Sequence, residues 1–395
     1  MDIASIDGRE IEKRKERVRR AWQRRKVDHT PIAFVLEDFH GHTLREACTS
    51  GEVQLAANRA NIDRLLRILP DDYIPVARLW PGYITIATMF GVPVHWSEDP
   101  NQAPGVGSHP IAEVGQATAL ADGPLPDPRT SGLMPFIIEW TARFARELPP
   151  EVSIAGPDLG GPMNTAKDLF ETDLLFTALY DWPDEFHRFL AFAAEVQVAC
   201  YREVIRAAGG AQRLSCIDFD PVWAPEGSKG FVSDDVSAGL SPGHFRAFSM
   251  PANNRIFRQW RGGRIHNCGP HPAAGLYLDH DPPIDGLNCS FRCTRGDLPH
   301  LPEAFGGRGL VELMFDNGES AAEIVAGFEE AARLLAPGVL AIPVVWLDAR
   351  WADGDIRQLY EELRSVATRC AADMRWKKEE GHGENRQQGA GPRRH

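Results

Sequence analysis

Residues 339–348 read VLAIPVVWLD: nine apolar or proline positions in a row, then an aspartate. A strand half exposed to water alternates apolar and polar residues. This one does not, so it predicts a strand covered on both faces, as in a parallel sheet. Seven other short runs have a similar character. They are Ile32–Asp38 (IAFVLED), Ile74–Trp80 (IPVARLW), Ser153–Asp158 (SIAGPD), Leu214–Asp220 (LSCIDFD), Arg264–Gly269 (RIHNCG), Asp285–Phe291 (DGLNCSF) and Gly309–Asp316 (GLVELMFD). Helical patterns lie between them, at Asp184–Ala208, Ser241–Arg261, Ser320–Leu335 and Asp355–Ala371. Ser241 followed by Pro242 is a helix start, and Ser320 with Glu323 has capping-box spacing. Eight strands with helices between them predict an α/β fold, a single (β/α)8 TIM barrel over residues 1–376. A doubly wound sheet is the alternative, but EDFHGHT after the first strand lacks a glycine-rich phosphate loop.

Three segments fall outside this pattern. The stretch from about 90 to 150 is rich in proline and glycine and reads as a lid-like insertion. Residues 9–26 (REIEKRKERVRRAWQRRK) predict a basic helix, with Val18 and Trp22 pinning one face to the body. Residues 377–395 are polar and too poor in apolar groups to offset the cost of ordering, so a disordered tail is expected.

The chain has 395 residues, and 55 Asp+Glu against 43 Lys+Arg give a formal charge of −12. That balance argues against a nucleic-acid partner, which needs a basic footprint. No apolar run is long enough for a membrane span, and the N-terminus has no signal-peptide core, so a cytoplasmic location is expected. The seven scattered cysteines then read as reduced thiols rather than a disulfide framework. A second copy of the chain is a partner the sequence neither requires nor excludes.

In a barrel, chemistry collects at the C-terminal ends of the strands. The first strand delivers Glu37, Asp38, His40 and His42, expected to orient substrate, with His40 as a catalytic candidate. The fourth delivers Asp218 and Asp220, with Trp223 just beyond. Arg350 follows the last strand. On one side of an extended strand, Asp218 and Asp220 would raise each other's pKa and serve as proton donors or acceptors. The sharper motif is His266-Asn267-Cys268. Residues i and i+2 of a strand point the same way, so an imidazole nitrogen and a thiolate can grip one ion, and Zn2+ favours that mixture. Such an ion lowers the pKa of a substrate thiol.

Taken in order, several segments resemble the uroporphyrinogen decarboxylase superfamily, which includes porphyrinogen decarboxylases and zinc- or corrinoid-dependent methyltransferases. They are ERVRRAWQRRKVDHTPIAF, GPMNTAKDLFETDLLFTALYDWPDEFHRFL, IDFDPVW, LSPGHFRAFSMPANNRIF and RIHNCG, within about residues 11–365. The resemblance implies a TIM barrel. It implies either a methyl or alkyl transferase with a metal at His266 and Cys268 and a corrinoid protein as partner, or a decarboxylase of a carboxylate-bearing substrate with an aspartate proton donor. A non-catalytic binding barrel is the third alternative. The decarboxylases carry an arginine-bearing motif after the first strand, where this chain has LEDFHGHTLREA. The zinc methyltransferases add a cysteine after the last strand, where this chain has AIPVVWLDARW. A third metal ligand must then come from elsewhere. Cys289 ranks first because it ends the strand after the His-x-Cys strand, followed by Asp218 and Cys293.

Overall fold

The computed structural model describes residues 3, 6–69, 71–316 and 318–377. Its strands are β1 (Ala33–Glu37), β2 (Val76–Ala77), β3 (Val94–His95), β4 (Gly105–Val106), β5 (Ser153–Ile154), β6 (Gly230–Ser233), β7 (Gly263–His266), β8 (Gly286–Ser290), β9 (Leu310–Phe315) and β10 (Leu340–Asp348). Six form one curled parallel sheet in the order β1-β10-β9-β8-β7-β6. The curl continues beyond β6. Ile217 N donates to Lys229 O at 2.9 Å, Ser215 N donates to Ile154 O at 2.9 Å, and β5 pairs in parallel with β2. The α/β barrel architecture expected from the apolar runs is therefore present.

Between β1 and β2, side-chain amides of the helix Gly51–Ile68 do the work of a ladder. Asn61 Nδ2 donates to Leu36 O at 3.0 Å, and Asn58 Nδ2 donates to Arg78 O at 2.9 Å. Trp80 N donates to Gln54 Oε1 at 2.7 Å. Backbone groups buried at that seam are thus satisfied without strand pairing.

One expected strand is shorter than expected and gains a neighbour. Of Leu214–Asp220, the part up to Ile217 bonds to the segments beside it, with a bridge at Leu214, and Gly230–Ser233 is the ladder strand next to β7. Phe219 has φ +47°, a left-handed conformation that ends the pleat. The chain reverses there, Ala224 N donates to Ser215 O at 3.0 Å, and β6 then rises beside β7. Glycine is required at the start of that pair, because a Cβ on Gly263 would stand 2.2 Å from Gly230 O.

Helices follow their sequence signals closely. Ser320 and Glu323 form the expected capping box, and Ser241 Oγ accepts from His244 N. The run expected as one helix over 241–261 is broken into Pro242–His244, a π-turn at Phe245–Ser249 and Met250–Phe257. Pro251 has no N–H for the carbonyl four residues back, and the wider turn absorbs that gap. The N-terminal helix runs Gly8–Trp22 and covers the N-terminal ends of the strands. There Val18 and Trp22 line a cavity with Ile32, Ala33, Ile74 and Ile342. Within the stretch 90–150, the helix Met134–Glu147 buries Met134, Ile137 and Phe144 in the main core, while Ile111 and Ala117 join a smaller apolar cluster with Phe170 and Phe189. Of the tail expected at 377–395, residues from 378 onward lie outside the described ones. Among the described residues, no helix is long and apolar enough to cross a membrane.

Candidate metal centre

β7 ends in His266, and the chain continues through Asn267 and Cys268 above the strand ends. Cys268 Sγ lies 3.5 Å from His266 Nε2. The neighbouring β6 runs into Asp234 and Asp235, and Asp235 Oδ1 lies 3.4 Å from the same nitrogen. Asp235, His266 and Cys268 each offer a ligand atom, all within 4.8 Å of one another. The loop that carries Cys268 is fixed by its own hydrogen bonds. Gly269 N donates to Asn267 Oδ1 at 2.8 Å, and Asn267 Nδ2 donates to Ser237 Oγ at 2.8 Å. Gly269 adopts φ +111°, and a Cβ there would meet Cys293 O at 2.9 Å, so a side chain at this turn would push the loop away. Asn164 holds the carboxylate: its Nδ2 donates to Asp235 Oδ2 at 3.0 Å, and its Oδ1 accepts from Asp235 N at 3.0 Å.

Register decides which atoms face the cluster. His266 pairs with Asn288 of β8, and Asn288 pairs with Glu312 of β9. His266 Nδ1 lies 2.7 Å from Asn288 Oδ1. An amide oxygen only accepts, so Nδ1 carries the proton and Nε2 is aimed at Cys268 and Asp235. Asn288 Nδ2 in turn donates to Glu312 Oε2 at 3.1 Å, and Arg264 bridges Glu312 (2.7 Å) and Asp220 (3.0 Å). The whole chain of groups is buried. The rings of Phe219 and Phe231 flank the imidazole, with centroids 5.4 and 6.3 Å away.

Burial alone would lower the pKa of His266, but the Asp235 carboxylate and Cys268 outweigh it and hold it well above its ordinary value. Burial would likewise raise Asp235, yet His266 and the backbone of Cys268 pull it far below the usual carboxylate range.

Other expected site residues fall into different places. Cys289 lies outside the cluster of Asp235, His266 and Cys268. It is one residue past Asn288, so it points to the opposite face of the sheet and sits in the core, where burial pushes its thiol up to about 12. Asp235 stands in the place expected of Cys289. Cys293 is exposed on the short helix Phe291–Thr294, outside the cluster. Asp218 and Asp220 do not share a side, because the turn at Phe219 separates them. Asp218 accepts from Leu159 N at 3.0 Å and from the Tyr201 hydroxyl. Burial, then the charge of Asp158, hold it well above the carboxylate range. Asp220 is committed to Arg264.

At the end of β1, Glu37 pairs with Arg78 at 2.5 Å, while His40 Nε2 lies 3.2 Å from Asn61 Oδ1 and its Nδ1 lies 3.6 Å from Asp38. His42 turns outward, 3.7 Å from Glu46. Trp223 lies at the wrong end for a substrate contact at the strand ends. The reversal at Phe219 returns the chain to the barrel base, and Lys15 and Arg19 of the N-terminal helix lie over its ring. Arg350 is held by Asp348 at 2.8 Å in its own loop. Sequence reasoning did not assign Asp235, Asn164, Asn288, Glu312 or Phe231 to the site. The available signal for Asp235 was GFVSDD, a short apolar run ending in acid like the others.

The residues present fit a zinc ion. One nitrogen, one sulfur and one carboxylate oxygen converge, a buried partner orients the imidazole, and Cys268 is exposed, which leaves a side open for a further ligand.

A family model described as uroporphyrinogen decarboxylase (URO-D) matches residues 13–290. Among solved structures, a methyltransferase from Methanosarcina mazei is similar, with a TM-score of 0.64 and 18% identity, over 89% of this chain and 98% of that one. No curated protein matches significantly in sequence.

Proposed function

The chain belongs to the uroporphyrinogen decarboxylase family, and from that premise we propose that it is a methyl or alkyl transferase that works with a zinc ion held by Asp235, His266 and Cys268. The observation that carries this reading is the convergence of those three ligand atoms at the strand ends, with His266 Nε2 turned toward the others by Asn288. The similarity to a methyltransferase structure supports it. When bound, the ion would supply Lewis-acid activation of an acceptor thiol, favouring its thiolate.

The chain's own residues do the rest. Asn288 keeps the Nδ1 proton in place, so Nε2 is the donor atom. Asn164 holds one oxygen of Asp235 and turns the other to the cluster. Phe219 and Phe231 wall the imidazole from water, which strengthens every charge interaction there. The open side at Cys268 gives a methyl donor access, and a corrinoid carried by a partner protein fits that role. Seven free cysteines accord with a cytoplasmic setting.

Metal analysis of freshly purified protein tests the reading. About one zinc per chain is expected, lost in His266→Ala, Cys268→Ala and Asp235→Ala, together with methyl transfer from methylcobalamin to a thiol. Protein without stoichiometric metal, or with metal unchanged in those variants, refutes it. One feature favours carbon–carbon bond cleavage instead: burial and the charge of Asp158 hold the pKa of Asp218 well above the carboxylate range. Its full burial and two occupied oxygens weigh against a proton donor to substrate. Activity that survives Cys268→Ala in metal-free protein would reinstate it, and inactivity with all acceptors would leave a binding barrel.

A further inference from the structure

Arg78 follows β2 at its C-terminal end, and its guanidinium sits in a box of rings. Its central carbon lies 5.1 Å from the Trp80 ring centre, 5.2 Å from Phe219 and 5.1 Å from Trp346. Glu37 takes Nη1 at 2.5 Å. The Nε is buried and has no hydrogen-bond partner among the described residues. Arg78 also lines the cleft between β1 and β2, together with Glu37, Phe39, Asn61 and Trp80. The Phe219 ring that faces the guanidinium also faces His266, 5.4 Å away. The guanidinium and the imidazole of the metal centre therefore pack on one ring and lie at most about 11 Å apart, a span within reach of a molecule of a few carbon atoms.

Other cations around the strand ends are committed elsewhere. Lys167 pairs with Asp168 at 2.8 Å, Arg350 with Asp348 at 2.8 Å, and Arg292 with Asp316 at 3.5 Å. Asp158, the other carboxylate beside this box, accepts from Trp80 Nε1 at 3.1 Å.

We propose that Arg78 is a specificity-determining anchor for an oxyanion at the far end of a small acceptor, with Glu37 as its displaceable counter-ion. The planar fork of a guanidinium matches a carboxylate or similar oxyanion, and only one of its nitrogens is taken. The rings hold the fork in place and exclude water, so an incoming anion meets a cation with little reorganisation to make. The buried Nε is a donor the fold leaves unsatisfied, and a bound oxyanion would satisfy it. What happens at the reacting end rests on the zinc reading; the anchor itself depends only on Arg78 and Glu37.

Trp80 and Trp346 flank the guanidinium, so tryptophan fluorescence reports binding directly. The metal-loaded protein is titrated with 3-mercaptopropionate and with 3-mercaptopropanol, which differ only in the terminal group. The acid should bind about ten-fold more tightly than the alcohol, the range expected of one charge-assisted contact. Arg78→Gln should bring that ratio close to one with zinc content unchanged. Glu37→Gln, which keeps the arginine and removes its competitor, should tighten the acid several-fold and leave the alcohol alone. An unchanged ratio in Arg78→Gln, or weaker acid binding in Glu37→Gln, overturns the proposal.

Propionate separates this outcome from the fate of the zinc reading. If metal is absent but propionate binds in wild type and not in Arg78→Gln, the anchor stands and the zinc reading falls. If zinc is stoichiometric and the acid shows no preference over the alcohol, the reverse holds.

Discussion

Asn288→Ala is the substitution that most directly tests how the metal centre is oriented. In the folded chain Asn288 is fully buried, accepts from His266 Nδ1 at 2.7 Å and donates to Glu312 Oε2 at 3.1 Å. Alanine removes both contacts and leaves the buried imidazole N–H of His266 without a partner, while Glu312 Oε2 keeps Arg264 Nε at 2.7 Å. At about 1–3 kcal/mol for one orphaned buried group, the stability loss should be about 1–3 kcal/mol, within the margin of a typical domain. The imidazole also loses the contact that sets its tautomer and angle. Removing such a partner typically weakens metal binding 10–100-fold, or about 1.4–2.8 kcal/mol. Zinc affinity is read by competition with a chromophoric chelator, with near-ultraviolet circular dichroism to establish that the variant is folded. The stoichiometry should stay at one while affinity falls. A folded Asn288→Ala protein with wild-type zinc affinity would show that His266 is oriented without Asn288, and the register argument would fail.

Cys289→Ala should keep its zinc, because that thiol faces the core side of β8; metal analysis showing loss would return Cys289 to the ligand set. Arg264→Met removes the only described cation between Asp220 and Glu312, all three buried, and should cost about 3–5 kcal/mol in urea unfolding; a loss under about 1 kcal/mol would mean the carboxyls manage without it. At the barrel base, burial alone would raise the pKa of Asp72, but His29, Arg17 and Tyr360 donate to it and hold it below its ordinary value. A depressed folded pKa stabilises above the unfolded value, near 3.9, and that contribution disappears as pH falls through the lower folded value. Thermal melts from pH 7 down to about pH 3 should therefore decline more steeply for wild type than for Asp72→Asn; parallel curves would contradict the assignment.

What the sequence determined by itself is local. The near-continuous apolar run before Asp348 marks a strand covered on both faces, and serines at 241 and 320 mark helix starts, because periodicity and capping are written within a few residues. The His-x-Cys pair was legible for the same reason: two residues apart, the side chains need no knowledge of any other strand. The remainder of the site depends on neighbours that are distant in sequence. Asp235 joins the cluster because β6 lies beside β7, and β6 is only four residues long, next to an IDFD run that looks more like a strand. A positive φ at Phe219, which composition does not announce, turns that run back on itself, parts Asp218 from Asp220 and carries Trp223 to the barrel base. Asn288 faces His266 while Cys289 faces away, because a strand's side chains alternate and only the parallel register fixes which of the two is in phase. The rings around Arg78 come from β2, the turn at Phe219 and β10, segments brought together only when the sheet curls.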